Sequence, residues 1–366
     1  MSRKENLEWW KEAKLGLFVH WGLYSLCGSG EWVMYTRRIP AAQYRKLADS
    51  FNPEQFDADE LAHFAKMAGM KYIVITAKHH DGFSMFRTKV SDYNIVDATP
   101  FGRDPMEELA DACRREGLKL GFYYSHVREW NHPLAQSFEK KGRGDLYGNY
   151  GNFWDYPNEN GKNLQEYIDK FDIPQIRELL TQYGDILTIW FDTPSQIAPW
   201  QGEQIKKAVY ETQDGCLVNS RLSEEIPTDY MTMADDAIPA SGMEIPWETP
   251  MTTHNGWGFV EGAEYASAQS IVLKIAEVAA KGGNLLLNVG PDSGGRVPEQ
   301  AKEAFLKVGR WLERNGEAVY GTSASGLPYT PGWGQVTRKR DALYLILTGR
   351  AGEKLVLTGL KSSVES

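Results

Sequence analysis

The sequence predicts an α/β protein whose main body is a (β/α)8-like (TIM-type) barrel, followed by a short C-terminal β-rich module. Strand, loop and helix patterns alternate along most of the chain, which is typical of βαβ units in a parallel sheet. The strand segments are nearly continuous apolar runs, as in strands that are covered on both faces. About seven or eight such strands can be counted, and this number favours a barrel over an open doubly wound sheet.

The first half of the chain predicts three strands separated by helices. In the second helix the apolar residues Phe56, Leu61 and Phe64 recur at helical spacing, and Gly69 stands where a helix would end. A long polar and aromatic insertion at about 127–162 is expected to lie over one mouth of the fold. The predicted elements are a helix at 5–14, a strand at Leu15–Gly22, a helix at Pro53–Gly69, a strand at Lys71–Ala77, a helix at Met106–Glu116 and a strand at Leu118–Tyr124.

The second half continues the alternation, with one irregular stretch. Between Pro227 and Val260 turns dominate and the repeat is weakest. The predicted elements are a helix at Asn163–Tyr183, a strand at Ile186–Asp192, a helix at about 201–213, a strand at Cys216–Asn219, a helix at Glu264–Ala280, a strand at Asn284–Val289 and a helix at Pro298–Asn315.

The texture of the sequence changes at about residue 321. Short alternating β-prone runs between Gly-rich turns occupy Gln335–Thr337, Ala342–Leu347 and Lys354–Leu357. We therefore expect a catalytic barrel over 1–325 and a β-rich module over 326–366. The module is short for an independent sandwich, which leaves open whether it packs on the barrel or is a truncated β-sandwich.

Charge and composition exclude several classes of protein. The net charge of −9 gives no basic footprint for nucleic acid, and no run of about 18 apolar residues predicts a membrane span. No apolar signal segment opens the chain, so we expect a cytoplasmic protein or the mature form of a secreted or periplasmic one. Cys27, Cys113 and Cys216 form neither a zinc pattern nor a disulfide framework. The composition leaves a homo-oligomer open.

Chemistry-bearing side chains stand at the ends of the predicted strands. In a parallel barrel these ends converge on one face, where active sites are built. The most informative is Asp192, because it ends the apolar run Ile186–Phe191 and a buried carboxylate costs solvation that some partner must recover. Each residue alone has an ordinary structural explanation, but five strand ends in register predict a functional site. These residues are His20, His79 with His80, Tyr123, Asp192 and Arg221.

Metal binding is the competing hypothesis for the histidines. No H-x-x-x-H or H-E-x-x-H pattern supports it, and Asp57 and Asp59 lie at the start of a helix, far in sequence from the histidines. Nucleotide motifs are also absent from the sequence. The sequence therefore predicts no metal and no cofactor.

A nucleophilic carboxylate such as Asp192 needs a second group to donate and recover a proton. Glycoside hydrolysis uses two carboxyl groups, which lie about 5–5.5 Å apart when the configuration is retained. The load of 12 Trp and 18 Tyr suits stacking against sugar rings. The residues alone do not choose among the loop acids that follow Arg221, which are Asp229, Asp235, Asp236, Glu244 and Glu248.

A series of motifs over roughly residues 8–325 resembles the α-L-fucosidases of glycoside hydrolase family 29. The motifs are LFVHWG, EW, KHHDGF, GFYYS, WFD, NSR, PWE, GWGF and KGGNLLLNVGP, in this order. KHHDGF and GGNLLLNVGP are specific, whereas EW and NSR alone are weak. The resemblance implies a (β/α)8-like catalytic domain, usually followed by a β-sandwich, and retaining hydrolysis through an aspartate nucleophile.

Carried over by position, the resemblance assigns Asp192 as the nucleophile. Many family members place a Glu in the segment that here contains Ala234, whereas others use an Asp in a pattern that ADDAIP resembles. The acid/base is therefore assigned to Asp235, with Asp236 and Glu248 as alternatives. The remaining matches hold the fucose (His20, Glu31, Trp32, His79, His80, Tyr123 and Arg221) or lie beside its methyl group (Trp257).

The expected function is that of an exo-acting retaining α-L-fucosidase acting on fucosylated oligosaccharides or glycoconjugates. No metal, organic cofactor, nucleic acid or membrane is expected to take part. Two alternatives stay open, a related exo-glycosidase such as an α-L-galactosidase and a non-catalytic sugar-binding barrel. The linkage that is cut and the preferred aglycone are not predicted.

Overall fold

The structure is a computed structural model, and it describes residues 1–135, 150–157, 162–194, 197–349 and 352–360. Part of the predicted insertion at 127–162 therefore lies outside the described residues. Within the described part, no helix is both long and apolar enough to cross a membrane.

Eight parallel strands form one curled sheet, in the order β5-β4-β3-β2-β1-β8-β7-β6. A parallel bridge between Asn219 and Tyr230 joins the two edges. Its flanking hydrogen bonds run from Ser220 N to Tyr230 O and from Asp229 N to Val218 O, both at 3.0 Å. The predicted (β/α)8-like barrel is thus confirmed. The strands are β1 (Leu15–Val19), β2 (Tyr72–Lys78), β3 (Lys119–Ser125), β4 (Ile186–Asp192), β5 (Leu217–Val218), β6 (Met231–Thr232), β7 (Trp247–Met251) and β8 (Asn284–Val289).

The helices follow local sequence signals closely. Asp104 caps its helix by accepting from Met106 N at 3.0 Å, Pro105 occupies the first turn, and Gly117 ends the helix in a left-handed conformation. The helices are α1 (Arg3–Ala13), α2 (Val33–Thr36), α3 (Ala41–Tyr44), α4 (Ala58–Met67), α5 (Pro105–Glu116), α6 (Leu164–Tyr167), α7 (Ile173–Gln182), α8 (Pro199–Thr212), α9 (Ala268–Ala280) and α10 (Glu299–Asn315). A π-helical turn, Ile168–Asp172, joins α6 to α7.

An aromatic core fills the interior of the barrel. Side chains alternate along each strand, so that one set points inward and the other packs against the helices. Helix α1 covers the end of the barrel that is opposite the strand C-termini, where the Trp10 and Tyr230 rings lie 4.4 Å apart. Aromatic and apolar side chains therefore pack the interior of the barrel between its two ends. The inward set includes Phe18, Tyr72, Val74, Tyr123, Leu187, Trp190, Tyr230 and Leu286.

The structure corrects several predicted boundaries. Strands β6 and β7 lie in the stretch where the repeat is weakest, and no strand was predicted there. β6 has two residues, and β7 contains both Glu248 and Pro250, so neither shows an apolar run. Helix α4 begins after its cap Asp57 rather than at Pro53, and α9 begins after its cap Ser267 rather than at Glu264.

A small antiparallel sheet follows the barrel, in the order β11-β10-β9. Its strands are β9 (Ser323–Ala324), β10 (Gly334–Lys339) and β11 (Ala342–Leu347). The predicted β run at Lys354–Leu357 is wrong, because that segment forms no strand. β9 begins just before residue 326, and the division into domains over 1–325 and 326–366 stays a prediction.

Gly309 provides a test of the packing of α10 on α4. A Cβ at this position would overlap the carbonyl oxygen of Met67 and lie 2.9 Å from its carbon, and backbone cannot rotate out of the way. Gly309→Ala should therefore lower the free energy of unfolding by about 1–3 kcal/mol, although Ala favours a helix by about 1 kcal/mol over Gly. Urea denaturation measures the change. Gly332→Ala is the control, since no atom lies within 4 Å of the added carbon. An equally stable Gly309→Ala variant would contradict this packing.

Candidate active site

A cavity of about 640 Å³ opens at the C-terminal ends of the strands. Its walls include residues of β1, β3, β4 and β6 and of the loops after β2, β5, β6 and β7, so the barrel brings together residues that are far apart in sequence. Of the residues predicted from sequence, those that line the cavity are His20, Trp32, His79, His80, Tyr123, Asp192, Arg221, Asp235 and Trp257.

Asp192 lies at the end of β4 and is held from several sides. Its Oδ2 accepts from the Tyr123 hydroxyl at 2.9 Å, and its Oδ1 accepts from Arg221 Nη1 at 3.1 Å. This network leaves the carboxylate little freedom to rotate.

Thr193 adds a backbone contact to the same carboxylate. Its φ is +67°, a left-handed conformation that is unfavourable for a β-branched residue. The Thr193 N–H donates to Asp192 Oδ1 at 2.9 Å. The strained residue therefore stands directly after the best candidate nucleophile, where it fixes the orientation of the carboxylate.

The surroundings of Asp192 keep it ionised. Burial alone would raise the pKa of this carboxyl, but the charge of Arg221, the Tyr123 hydrogen bond and the charge of Arg128 outweigh burial. The pKa is therefore lowered below the ordinary value. An ionised, oriented carboxylate is the state that a nucleophile requires.

Asp235 is the one member of the five loop acids that lines the cavity. Its carboxylate accepts from Arg221 Nη2, so one guanidinium holds both Asp192 and Asp235. Burial raises the pKa of Asp235 and the charge of Asp192 raises it further, although Arg221 opposes both. The side chain is still 50% exposed, so a substrate that covers it would increase the shift.

The other four loop acids lie outside the cavity lining. Thr252 N and its hydroxyl hold Asp236 at 2.8 and 3.1 Å. Asp229 accepts from Val218 N at 2.8 Å, and Glu244 is exposed. Glu248 is fully buried in the interior of the barrel. Asp235 therefore lines the cavity, whereas its alternatives Asp236 and Glu248 do not.

The histidines present hydrogen-bond acceptors to the cavity. Asn288 donates through Nδ2 to Trp257 O at 2.6 Å, so its oxygen faces His20 Nδ1, 2.7 Å away, and Nδ1 must carry the proton. Ser125 donates to Arg128 O at 2.7 Å, so its oxygen accepts from His80 Nδ1 at 2.6 Å. Both rings therefore leave Nε2 as an acceptor.

All three histidines are neutral at ordinary pH. Burial lowers the pKa of His20 to about 4 and holds the pKa values of His79 and His80 well below the ordinary range. Neutral imidazoles with a free acceptor nitrogen suit hydroxyl donors such as those of a sugar. Among the described residues, no group of three or more His, Cys, Asp and Glu is placed to hold a metal ion.

Aromatic rings form the walls of the cavity. The Trp257 ring lies 5.2 Å from that of His20, and the Trp32 ring lies 5.3 Å from that of His80. Trp190 stacks on Tyr123 at 5.6 Å with an interplanar angle of 22°. Such rings, with polar edges and apolar faces, suit the face of a sugar.

Glu31 occupies a different place from the other predicted binding residues. It is buried behind the cavity and is not part of its lining. Its Oε2 accepts from the backbone N–H groups of Trp257 and Gly258, at 3.1 and 2.7 Å. In this structure Glu31 therefore holds the loop that carries Trp257.

The lining residues that were not predicted from sequence include Arg128, Tyr150, Trp190 and Glu224. Trp190 had a usable signal, because it stands two residues before Asp192 in one strand and must face the same side. Arg128 and Tyr150 belong to the irregular insertion, and Glu224 to a loop. No periodic pattern marks those three.

A partly buried and an exposed carboxyl with opposite pKa shifts share a cavity lined by neutral histidines and aromatic rings. This combination on a barrel defines the class of the protein as a glycoside hydrolase. The family model described as alpha-L-fucosidase matches residues 1–317. The chain belongs to that family, glycoside hydrolase family 29, as its motifs predicted.

Relatives and solved structures agree with this membership. The α-L-fucosidase of Dictyostelium discoideum is 28% identical over 86% of this chain and 71% of its own, and the tissue α-L-fucosidase of Rattus norvegicus is 30% identical over 85% and 69%. The structure of the α-L-fucosidase from Vibrio sp. strain EJY3 matches with a TM-score of 0.88 and 34% identity, over 94% of this chain and 62% of that chain. The structure of the α-L-fucosidase from Lactobacillus casei matches with a TM-score of 0.79 and 39% identity, over 86% of this chain and 99% of that chain.

Arg221→Gln tests the shared guanidinium. Arg221 lowers the pKa values of both Asp192 and Asp235, so its loss should raise both. Activity that needs ionised Asp192 falls as pH drops through its pKa, and activity that needs protonated Asp235 falls as pH rises through its pKa. Both limbs of the kcat/KM profile should therefore move to higher pH. Arg115→Gln, which removes an exposed ion pair with Asp59, is the control. Unmoved limbs would show that Arg221 does not set these pKa values.

Proposed function

We propose that the protein is an exo-acting retaining α-L-fucosidase, which hydrolyses terminal α-L-fucose from oligosaccharides or glycoconjugates by double displacement. The observation that carries the proposal is the single Arg221 guanidinium that holds both Asp192 and Asp235. It keeps two carboxyl groups close together while their surroundings shift their pKa values in opposite directions. Opposite shifts are how a pair of carboxyl groups divides into a nucleophile and a proton donor.

In the first step, an Asp192 oxygen attacks C1 of the fucosyl residue. The bond from C1 to the leaving oxygen breaks, and that oxygen takes the proton of Asp235. The result is a fucosyl ester on Asp192 and an ionised Asp235. Each group starts in the protonation state that its pKa shift favours.

In the second step, water attacks C1 from the face that the leaving group vacated. Asp235 takes a proton from this water, and the bond from C1 to Asp192 breaks. Two inversions retain the α configuration. Asp192 returns to its ionised state and Asp235 to its protonated state.

The contacts around the cavity support a single sugar in its inner part. Nε2 of His20 and of His80 would accept from sugar hydroxyls. Trp257 lines the cavity, and the resemblance implies that this ring lies beside the fucose methyl group. The packed barrel interior closes the floor, which suits an enzyme that removes terminal residues. The Lactobacillus casei α-L-fucosidase was solved with α-L-fucose product, and a variant of it was solved with Fucα(1,6)GlcNAc. We propose the same class of substrate here.

The non-catalytic alternative depended on a missing or misplaced carboxylate. Ala234 does line the cavity in place of the Glu that many family members have, but the neighbouring Asp235 supplies a carboxyl group to the same cavity. The premise of that alternative is therefore not met.

Asp192→Ala should lower kcat on an aryl α-fucoside by at least about 10³-fold, because the covalent route is lost. Thermal unfolding should change little, and calorimetry should still detect fucose binding. Azide added to this variant should yield β-fucosyl azide, since attack by an external anion inverts the configuration once. Near-normal turnover by the variant would refute the nucleophile assignment.

Asp235→Ala should lose most activity on natural glycosides, because their leaving groups need protonation. The rate at which the variant forms the intermediate from an aryl fucoside with a good leaving group should fall much less. The intermediate should accumulate and give an initial burst. Azide should restore turnover and yield α-fucosyl azide, because two inversions retain the configuration.

Asp236→Ala and Glu248→Ala are the matched controls for this experiment. Neither should be rescued by azide, because neither side chain lines the cavity. Rescue of one of these variants, with none for Asp235→Ala, would transfer the acid/base role to that residue.

A further inference from the structure

Glu248 is a fully buried carboxyl group for which the proposed mechanism has no use. It lies on β7 with its side chain in the interior of the barrel. Its Oε1 accepts from Trp190 Nε1 at 2.8 Å, and its Oε2 accepts from the Tyr72 hydroxyl at 2.9 Å. The two oxygens therefore tie β7 to β4 and β2 across the barrel.

The indole that Glu248 holds is itself in contact with both side chains that hold Asp192. The Arg221 guanidinium lies over the Trp190 ring, 5.0 Å from its centroid, and the Tyr123 ring stacks on the same indole at 5.6 Å. Tyr123 and Arg221 then bond to Asp192 at 2.9 and 3.1 Å. A continuous chain of contacts thus runs from the interior carboxyl to the nucleophile.

We propose that Glu248 is a positioning residue, which fixes the indole of Trp190 and thereby the two side chains that orient and ionise Asp192. The inference rests on the proposed role of Asp192 as nucleophile. Glu248 itself lies outside the cavity lining and touches no reacting atom.

The chemistry of the barrel interior explains why an acceptor is needed at this position. The neighbouring inward side chains are Trp10, Phe18, Leu187, Tyr230 and Leu286, which are apolar or aromatic. Without Glu248, the Trp190 N–H would lose its one described acceptor, and a buried donor without a partner is costly. The indole would then have reason to rotate, and any rotation would displace Arg221 and Tyr123.

The ionisation of Glu248 is itself sensitive to its surroundings. Burial raises its pKa to about 7, although the bonds from Trp190 and Tyr72 and the charge of Arg221 oppose the rise. Tyr72 on β2 and Tyr230 before β6 are the neighbouring titratable groups, and Arg221 after β5 is the neighbouring charge. Both hydrogen bonds can persist when Glu248 is protonated, since the Tyr72 hydroxyl can accept as well as donate.

The test compares Glu248→Ala with Glu248→Gln in the full chain, on an aryl α-fucoside. The Ala variant leaves the Trp190 N–H without an acceptor and should lower kcat about 10²-fold, as expected when reacting groups are misplaced. The acid limb of its kcat/KM profile should move to higher pH, because a displaced Arg221 no longer lowers the pKa of Asp192 as far. The Gln variant keeps an oxygen for Trp190 and an N–H for the Tyr72 hydroxyl, so it should stay within a few-fold of the wild type. Azide should rescue neither variant.

Tyr72→Phe is the matched control. It removes the other hydrogen bond to the same buried carboxyl but leaves the Trp190 bond in place. Stability should fall while kcat and the acid limb stay unchanged. If Glu248→Ala does not fold, Trp190→Phe takes its place, since it removes the indole N–H and should produce the same shift of the acid limb.

The outcomes separate three roles for Glu248. A Gln variant as inactive as the Ala variant, with azide rescue of the latter, would make Glu248 a proton-transfer group and overturn the inference. If Glu248→Ala loses stability but keeps its kcat and its acid limb, Glu248 has only a structural role, and this result also overturns the inference. The Asp192→Ala experiment tests the proposed function separately, because its result does not depend on the relative activities of Glu248→Gln and Glu248→Ala.

Discussion

The active site depends on one guanidinium that serves two carboxyl groups. Arg221 follows the short strand β5, and its two terminal nitrogens reach Asp192 and Asp235. In the proposed mechanism the two carboxyl groups have opposite tasks, and a shared cation alone could not divide them. The difference comes from Tyr123 and Arg128, which lower the pKa of Asp192, and from burial and the charge of Asp192, which raise the pKa of Asp235. The barrel supplies this asymmetry by delivering each group from a different strand end.

The interior of the barrel is more than support for the sheet. Phe18, Tyr123 and Trp190 point inward, and all three also line the cavity. The aromatic core therefore extends without a break into the surface that would meet the sugar. A substitution deep in the barrel can change the geometry of the site, because close-packed side chains transmit displacement to their neighbours. Glu248 places a polar carboxyl group inside this aromatic core, where Trp190 and Tyr72 donate hydrogen bonds to it.

Much of the fold and of the site was predictable because parallel barrels follow a simple rule. Apolar runs that end in polar residues mark both the strands and the face where those residues meet, which is how His20, His79, Tyr123 and Asp192 were found. Strands β6 and β7 gave no such signal, since one is two residues long and the other carries Glu248. The places of Glu31 and Glu248 depend on which backbone or side chain faces them, and that is set by the register of distant strands. Arg128 and Tyr150 come from an irregular segment, where sequence carries no period.

The neutral histidines of the cavity would make sugar binding insensitive to the pH of the surroundings. Buried imidazoles that stay uncharged from acid to neutral conditions give the inner cavity a constant pattern of acceptors. Recognition of a neutral sugar would then be uncoupled from proton uptake by these rings, whereas the carboxyl groups would sense acidity. Such an enzyme would keep its selectivity in compartments or habitats of different acidity while its turnover changed, so a single sequence could specify the ligand and the working pH through separate sets of residues.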